Sequence, residues 1–119
     1  MRLLTKTLFA KLVENGHRQA AVKGTEAEID FKPVVKLFDP CGAGTWLLTE
    51  IDPEDHDIAF GLCDLGMGCP ELGNVSLSEL ANLRRAAGVL GIERDLYFKA
   101  DKTLSAYATE ASANMRIIA

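Results

Sequence analysis

From Leu37 to Leu83 the chain has no lysine or arginine, although that stretch carries nine Asp or Glu residues. Other reactive chemistry is scarce as well. Two histidines, three cysteines and one tryptophan are all that 119 residues supply. With His17 and His56 as the only imidazoles, acid–base schemes would have to rest on carboxylates. Glu50, Asp64, Glu71 and Glu79 are available, but no spacing pairs them. A cysteine nucleophile needs a base within reach and a lowered thiol pKa, and neither histidine is set beside Cys63 or Cys69. The G-x-S-x-G signature of a serine nucleophile is absent. No catalytic residue is read from this chain.

Metal and membrane chemistry are excluded in the same way. Structural zinc sites present ligands in close pairs, whereas Cys41, Cys63 and Cys69 are widely spaced and His56 lies at the far end of a hairpin from Cys41. The cysteines read as reduced packing residues. Their odd number fits a reducing cytoplasm better than a disulfide framework. The acidic run lacks the D-x-D-x-D-G order of a calcium loop and contains Pro53. No apolar run approaches the ~18 residues of a membrane span. The opening MRLLTKTLFAKLVENG is broken by Lys6, Lys11 and Glu14, so it is not read as a signal peptide. A net charge of −4 gives no general grip on nucleic-acid phosphates. No metal or cofactor is expected.

What remains is an ordinary globular composition, 48% apolar and 25% charged, read as a single domain over 1–119. Leu8, Phe9, Leu12 and Val13 give one apolar stripe of a helix capped by Thr5, and Asn15-Gly16 suits its C-terminal turn. Residues 17–30 read as a short helical tail and a loop. From Pro33 the period changes to two: PVVKLF, TWLLTEI and IAFGLCDL are strands, with LGNVS as a short fourth. Ser76 and Glu79 form a capping box for a helix that Gly88 closes. IERDLYF is a last strand, and a final helix begins near Asp101 or Thr103 with Leu104, Tyr107, Ala108, Ala111 and Met115 on one face. The fold class is α+β, an antiparallel sheet of 4–5 strands with about three helices in the order α-β-β-β-(β)-α-β-α.

The hairpin 45–64 predicts a register. Thr45 opposes Asp64, Trp46 opposes Cys63, Leu47 opposes Leu62, and Ile51 opposes Ile58. One face, from Thr45 through Ile51 and back to Asp64, is then the core on which helices pack. The other carries Trp46, Leu48 and Glu50, and Trp46 is either covered by the N-terminal segment or exposed as a contact surface. Alternation in IERDLYF turns Ile92, Arg94, Leu96 and Phe98 inward, which makes Arg94 a candidate partner for Asp64. That pair is a structural ion pair or an anion-binding arginine oriented by a carboxylate. The 66–73 loop with Glu71 would lie beside it. It is not a phosphate loop, since G-M-G is followed by no Lys-Ser/Thr. Glu50, Asp52, Glu54, Asp55 and Asp57 crowd around His56, as a solvated hairpin tip or as an acidic surface for a basic partner.

The ordered motifs PVVKLF, TWLLTEIDP, FGLCDLGMGCPELG, VSLSEL and IERDLYF resemble a family of small bacterial proteins of unknown function, often encoded on conjugative plasmids and integrative elements. The resemblance spans roughly residues 3–108 and implies no activity, cofactor or catalytic residue. It implies an aromatic side chain where this chain has Asn74. Together these readings suggest a cytoplasmic, non-enzymatic accessory protein of a mobile element that binds a macromolecular partner through its acidic surface. The alternative is a small-molecule or anion-binding domain, or an enzyme, with Arg94, Asp64 and the 66–73 loop around a pocket beside Trp46. A homodimer through the outer sheet face is a third expectation.

Overall fold

The computed structural model describes residues 3–83 and 91–119. Thr5 is extended and its hydroxyl accepts from the Leu8 amide at 3.1 Å, which starts α1, Lys6–Ala20. Leu8, Phe9, Leu12 and Val13 pack on the sheet as their spacing requires. The helix does not stop at Asn15-Gly16. Both residues are buried and face the sheet. The Asn15 Nδ2 donates to the Thr49 carbonyl at 2.9 Å. A Cβ on Gly16 would fall 1.8 Å from the Ile51 carbonyl oxygen. Close approach of helix to strand, not a left-handed turn, is what demands glycine there.

The strands are β1 (Val35–Phe38), β2 (Thr45–Ile51), β3 (Ile58–Asp64), β4 (Glu71–Ser76) and β5 (Glu93–Arg94). They form one antiparallel sheet in the order β4-β3-β2-β1-β5. Helices α2 (Leu77–Asn82) and α3 (Leu104–Asn114) complete an α+β fold of the expected element order. The last strand is shorter than IERDLYF predicts. Asp95 ends it, because its Oδ1 accepts from the Tyr97 amide at 2.9 Å and folds the chain into a turn. Leu96 and Tyr97 are consequently 70% and 94% exposed, and only Ile92 of that segment is fully buried.

The expected register holds from Thr45 to Leu48 and then slips at a β-bulge between Leu48 and Glu50. Ile51 opposes Ala59 rather than Ile58, and Glu50 opposes Phe60. The bulge moves Ile51 to the Trp46 and Leu48 face, so the predicted single core becomes two. Trp46, Leu48, Ile51 and Ala59 pack with α1, Leu80 of α2 and Ile92. Leu47 and Leu62 pack with Leu104, Tyr107 and Ala111 of α3. Both sheet faces are therefore layered with helices, and Trp46 is 4% exposed. Gly61 lies close against the backbone of the neighbouring strand. Its Cβ would meet the Leu47 carbonyl oxygen at 1.9 Å, while Gly44 lies against the indole.

Two side chains from other elements fix the helix starts. Asp30 accepts from the Ser105 amide at 3.1 Å and from the Ser105 hydroxyl, so a distant carboxylate holds the first turn of α3, while Thr103 makes no side-chain cap bond. Met115 ends α3 in the left-handed region at φ 60° and is exposed, not part of the buried face. Ser76 Oγ accepts from Glu79 N at 3.2 Å, the forward half of the expected capping box. The expected closure at Gly88 lies outside the described residues.

Candidate functional site

The bulge in β2 aims Glu50 toward Phe60, at the end of the sheet where α1 finishes. The α1 extension past Gly16 supplies a wall. There the Gln19 side-chain amide pairs with Ile29 as a strand would, donating to its carbonyl at 2.7 Å and accepting from its amide at 2.9 Å. Glu28 is set beside this clamp and accepts from the Gly24 amide at 2.7 Å, where Gly24 takes a φ of 81°. The result is a cavity of about 420 Å³ floored by Ile58 and Phe60, with Asn74 of β4 on its lining. A second hollow of about 360 Å³ shares Gln19, Glu28, Glu50 and Phe60 and extends to Leu72 and Ser105.

The electrostatics are one-sided. Glu28, Glu50, Asp52 and Glu54 line the larger cavity, and among the described residues Lys23 is the only basic one on its lining. Burial pushes the Glu50 carboxyl above its ordinary range, and Glu28 adds to that. Hydrogen bonds from Thr49 and Gln19 and the charge of Lys23 oppose it only in part. A half-buried carboxylate held at such a cost gains most from a cation that enters the groove. Chemically, the site suits an ammonium or guanidinium group with an apolar stem lying over Phe60.

The structure divides the five acids of the hairpin tip. Glu50, Asp52 and Glu54 line the groove. Asp52 also accepts from Glu54 N at 2.8 Å, and Asp55 accepts from Asp57 N at 3.1 Å, which are loop-closing turns. Asp57 holds the start of α2, accepting from the Ser76 hydroxyl at 2.5 Å and the Ser78 amide at 2.8 Å. The Ser76 hydroxyl, followed by the Ser78 amide, holds its carboxyl below the usual range. His56 is exposed and sits edge-on to Phe9, with ring centroids 5.5 Å apart.

Asp64 and Arg94, expected as neighbours, are separated. Arg94 lies in one cross-strand row with Leu37, Trp46 and Cys63, whereas Asp64 lies in the next row with Thr45 and Phe38. Adjacent rows face opposite sides of a sheet, and β1 and β2 lie between the two residues. Asp64 is 3% exposed, and its two oxygens accept from the Gly66 amide at 2.8 Å and the Ile117 amide at 3.0 Å. Arg94 donates to the Leu3 carbonyl at 2.6 Å. Glu71 is exposed at the start of β4, and Trp46 is buried under α1, and neither is on the lining of the cavity that touches Asp64. The cavity that does touch Asp64, about 480 Å³, is lined instead by Lys36, Thr45, Met115 and Arg116 among others.

The cysteines are not all packing residues. Cys41 and Cys69 are exposed, and only Cys63 is half-buried. Burial pushes the Cys63 thiol up to about 11, the opposite of what a nucleophile needs. Among the described residues no cluster of His, Cys, Asp and Glu could hold a metal ion, and no helix is long and apolar enough to cross a membrane.

The family model described as Protein of unknown function (DUF2958) matches residues 3–118. The chain belongs to that family. No curated protein and no solved structure matches it. The match runs from the start of the α1 layer to beyond Asp64's partner Ile117, and so includes both ends of the sheet. Gln19, Lys23, Glu28 and Phe60 complete the groove and were not singled out by sequence. Asn15, Gly16 and Gln19 continue the α1 face at helical spacing, and that was the signal for the wall.

Proposed function

We propose that this chain is a non-enzymatic accessory protein of a mobile genetic element, and that it binds a basic macromolecular partner in the acidic groove. The observation that carries the reading is Glu50, a half-buried carboxylate with a raised pKa in a cavity where carboxylates outnumber cations. Partner binding of this kind uses charge to steer the encounter and an apolar floor to hold the complex. The mobile-element setting rests on the resemblance of the ordered motifs described above. The reading without catalysis is supported by the high Cys63 pKa and by the seating of His56 against Phe9.

The test is the affinity of a fluorescein-labelled ten-residue oligolysine, with oligoglutamate as control. The variant Glu50→Gln/Asp52→Asn/Glu54→Gln is expected to bind the cationic peptide at least about tenfold more weakly while keeping the wild-type circular dichroism. Equal affinity of wild type and variant at low salt would refute the groove as the partner site.

A further inference from the structure

Helices cover both sheet faces, so what the sheet still offers is its edges. The two edges differ sharply. The β5 edge is two residues long and ends in the Asp95 turn. The β4 edge runs for six residues, ELGNVS, without proline or lysine, the two residues that most often blunt an edge. Among the described residues, no group outside β3 hydrogen-bonds to the backbone from Glu71 to Val75. Leu72 is 49% exposed, Asn74 is exposed, and a Cβ on Gly73 would meet nothing within 4 Å. In an antiparallel pair, alternate residues of an edge strand direct both N–H and C=O outward. The outer side of β4 is thus a ready template for one more strand.

The charge around that edge selects the occupant. Glu71 begins β4, Glu79 follows in α2, and both are exposed. No lysine or arginine lies between residues 37 and 83. A second copy would bring two such cation-free segments edge to edge, where like charges repel. An extended segment with lysine or arginine at alternate positions meets the complementary field. We infer that β4 takes an extended, basic segment of a partner protein as an added antiparallel strand. This rests on the reading of the chain as a binder of a basic partner, but it engages a different part of that partner. An added strand would lie three strand spacings from β2, about 14 Å. That is beyond the reach of a single lysine side chain, so the cation that enters the Glu50 groove comes from outside the paired segment. The two contacts are separable by mutation.

The probe is a fluorescein-labelled ten-residue peptide of alternating lysine and valine, with two derivatives N-methylated on alternate amides, one set at the lysines and one at the valines. N-methylation removes donors without changing charge. Binding of the parent peptide is expected to slow hydrogen exchange at alternate amides of residues 71–76. One methylated derivative is expected to lose at least about tenfold in affinity and the other to keep it. Gly73→Lys, a change at an open edge position outside the groove lining, is expected to weaken the parent peptide. Should that variant misfold, the methylated peptides give the same comparison on the wild-type chain. Binding that leaves exchange at 71–76 unchanged and ignores both methylations overturns strand addition, while the groove reading stands. Failure of the parent peptide to bind at all overturns strand addition, and the oligolysine affinity decides the groove reading separately. A doubled mass in sedimentation equilibrium that Gly73→Lys abolishes assigns the edge to a second copy and overturns the inference.

Discussion

The sheet carries two carboxylates at opposite ends of the β2–β3 hairpin, and they are treated in opposite ways. Asp64 is buried, and backbone amides of Gly66 and Ile117 bond its two oxygens. Glu50 is half-buried beside an open groove, and burial pushes its carboxyl up. A buried charge with fixed donors is part of the scaffold, since those donors cannot be exchanged for a ligand. A partly buried charge with weak compensation is available to a ligand. The same residue chemistry is structural at one end and receptive at the other, and the difference lies in the donors, not in the depth alone.

The largest effect should come from breaking the scaffold end. Asp64→Ala strands the Gly66 and Ile117 amides and is expected to cost about 2–4 kcal/mol in chemical denaturation. A loss no larger than that of Glu50→Ala would erase the distinction. Thiol labelling sharpens the same end of the molecule. At pH 8, Cys41 and Cys69 should react readily, and Cys63 should react about a hundredfold more slowly in the folded chain. Three equal rates would mean that β3 is not packed as described.

Asp57→Asn is a smaller perturbation, which loosens α2 without touching Glu50. The folded Asp57 pKa lies below its ordinary value, so its contribution is present above the unfolded pKa and is lost as pH falls through the folded one. The stability gap between wild type and Asp57→Asn should therefore narrow on acidification below about pH 4. Glu50 has the reverse sign. Its folded pKa is raised, so the protonated form is favoured by folding, and that advantage is lost as pH rises through the folded pKa. Glu50→Gln should accordingly melt slightly higher than wild type at pH 7 and equally at acid pH. A stabilising change that weakens binding would mark Glu50 as a residue kept for function.

Much of this was legible in the residues, and the failures share a cause. Strands β2 and β3 and their pairing at Thr45–Asp64 follow from alternation and turn chemistry. The bulge after Leu48 does not, because TWLLTEI alternates acceptably on either side of it. One extra residue then decided which face received Ile51 and where Glu50 points. Asn15-Gly16 misled for a related reason: a helix stop and a close helix–strand contact ask for the same glycine. Arg94 was placed beside Asp64 because local alternation says nothing of strand order, which sets β1 and β2 between them. The acidic run was visible, yet its division between groove and α2 cap depends on Ser76 and Ser78 lying against Asp57.

The most direct measurement is a ¹⁵N-resolved titration of the folded chain with oligolysine. Shift changes concentrated at Gln19, Glu28, Glu50, Phe60 and Asn74, with the Gly66 and Ile117 amides unmoved, are what the account expects. Changes concentrated around Lys36, Asp64 and Arg116 instead would contradict it.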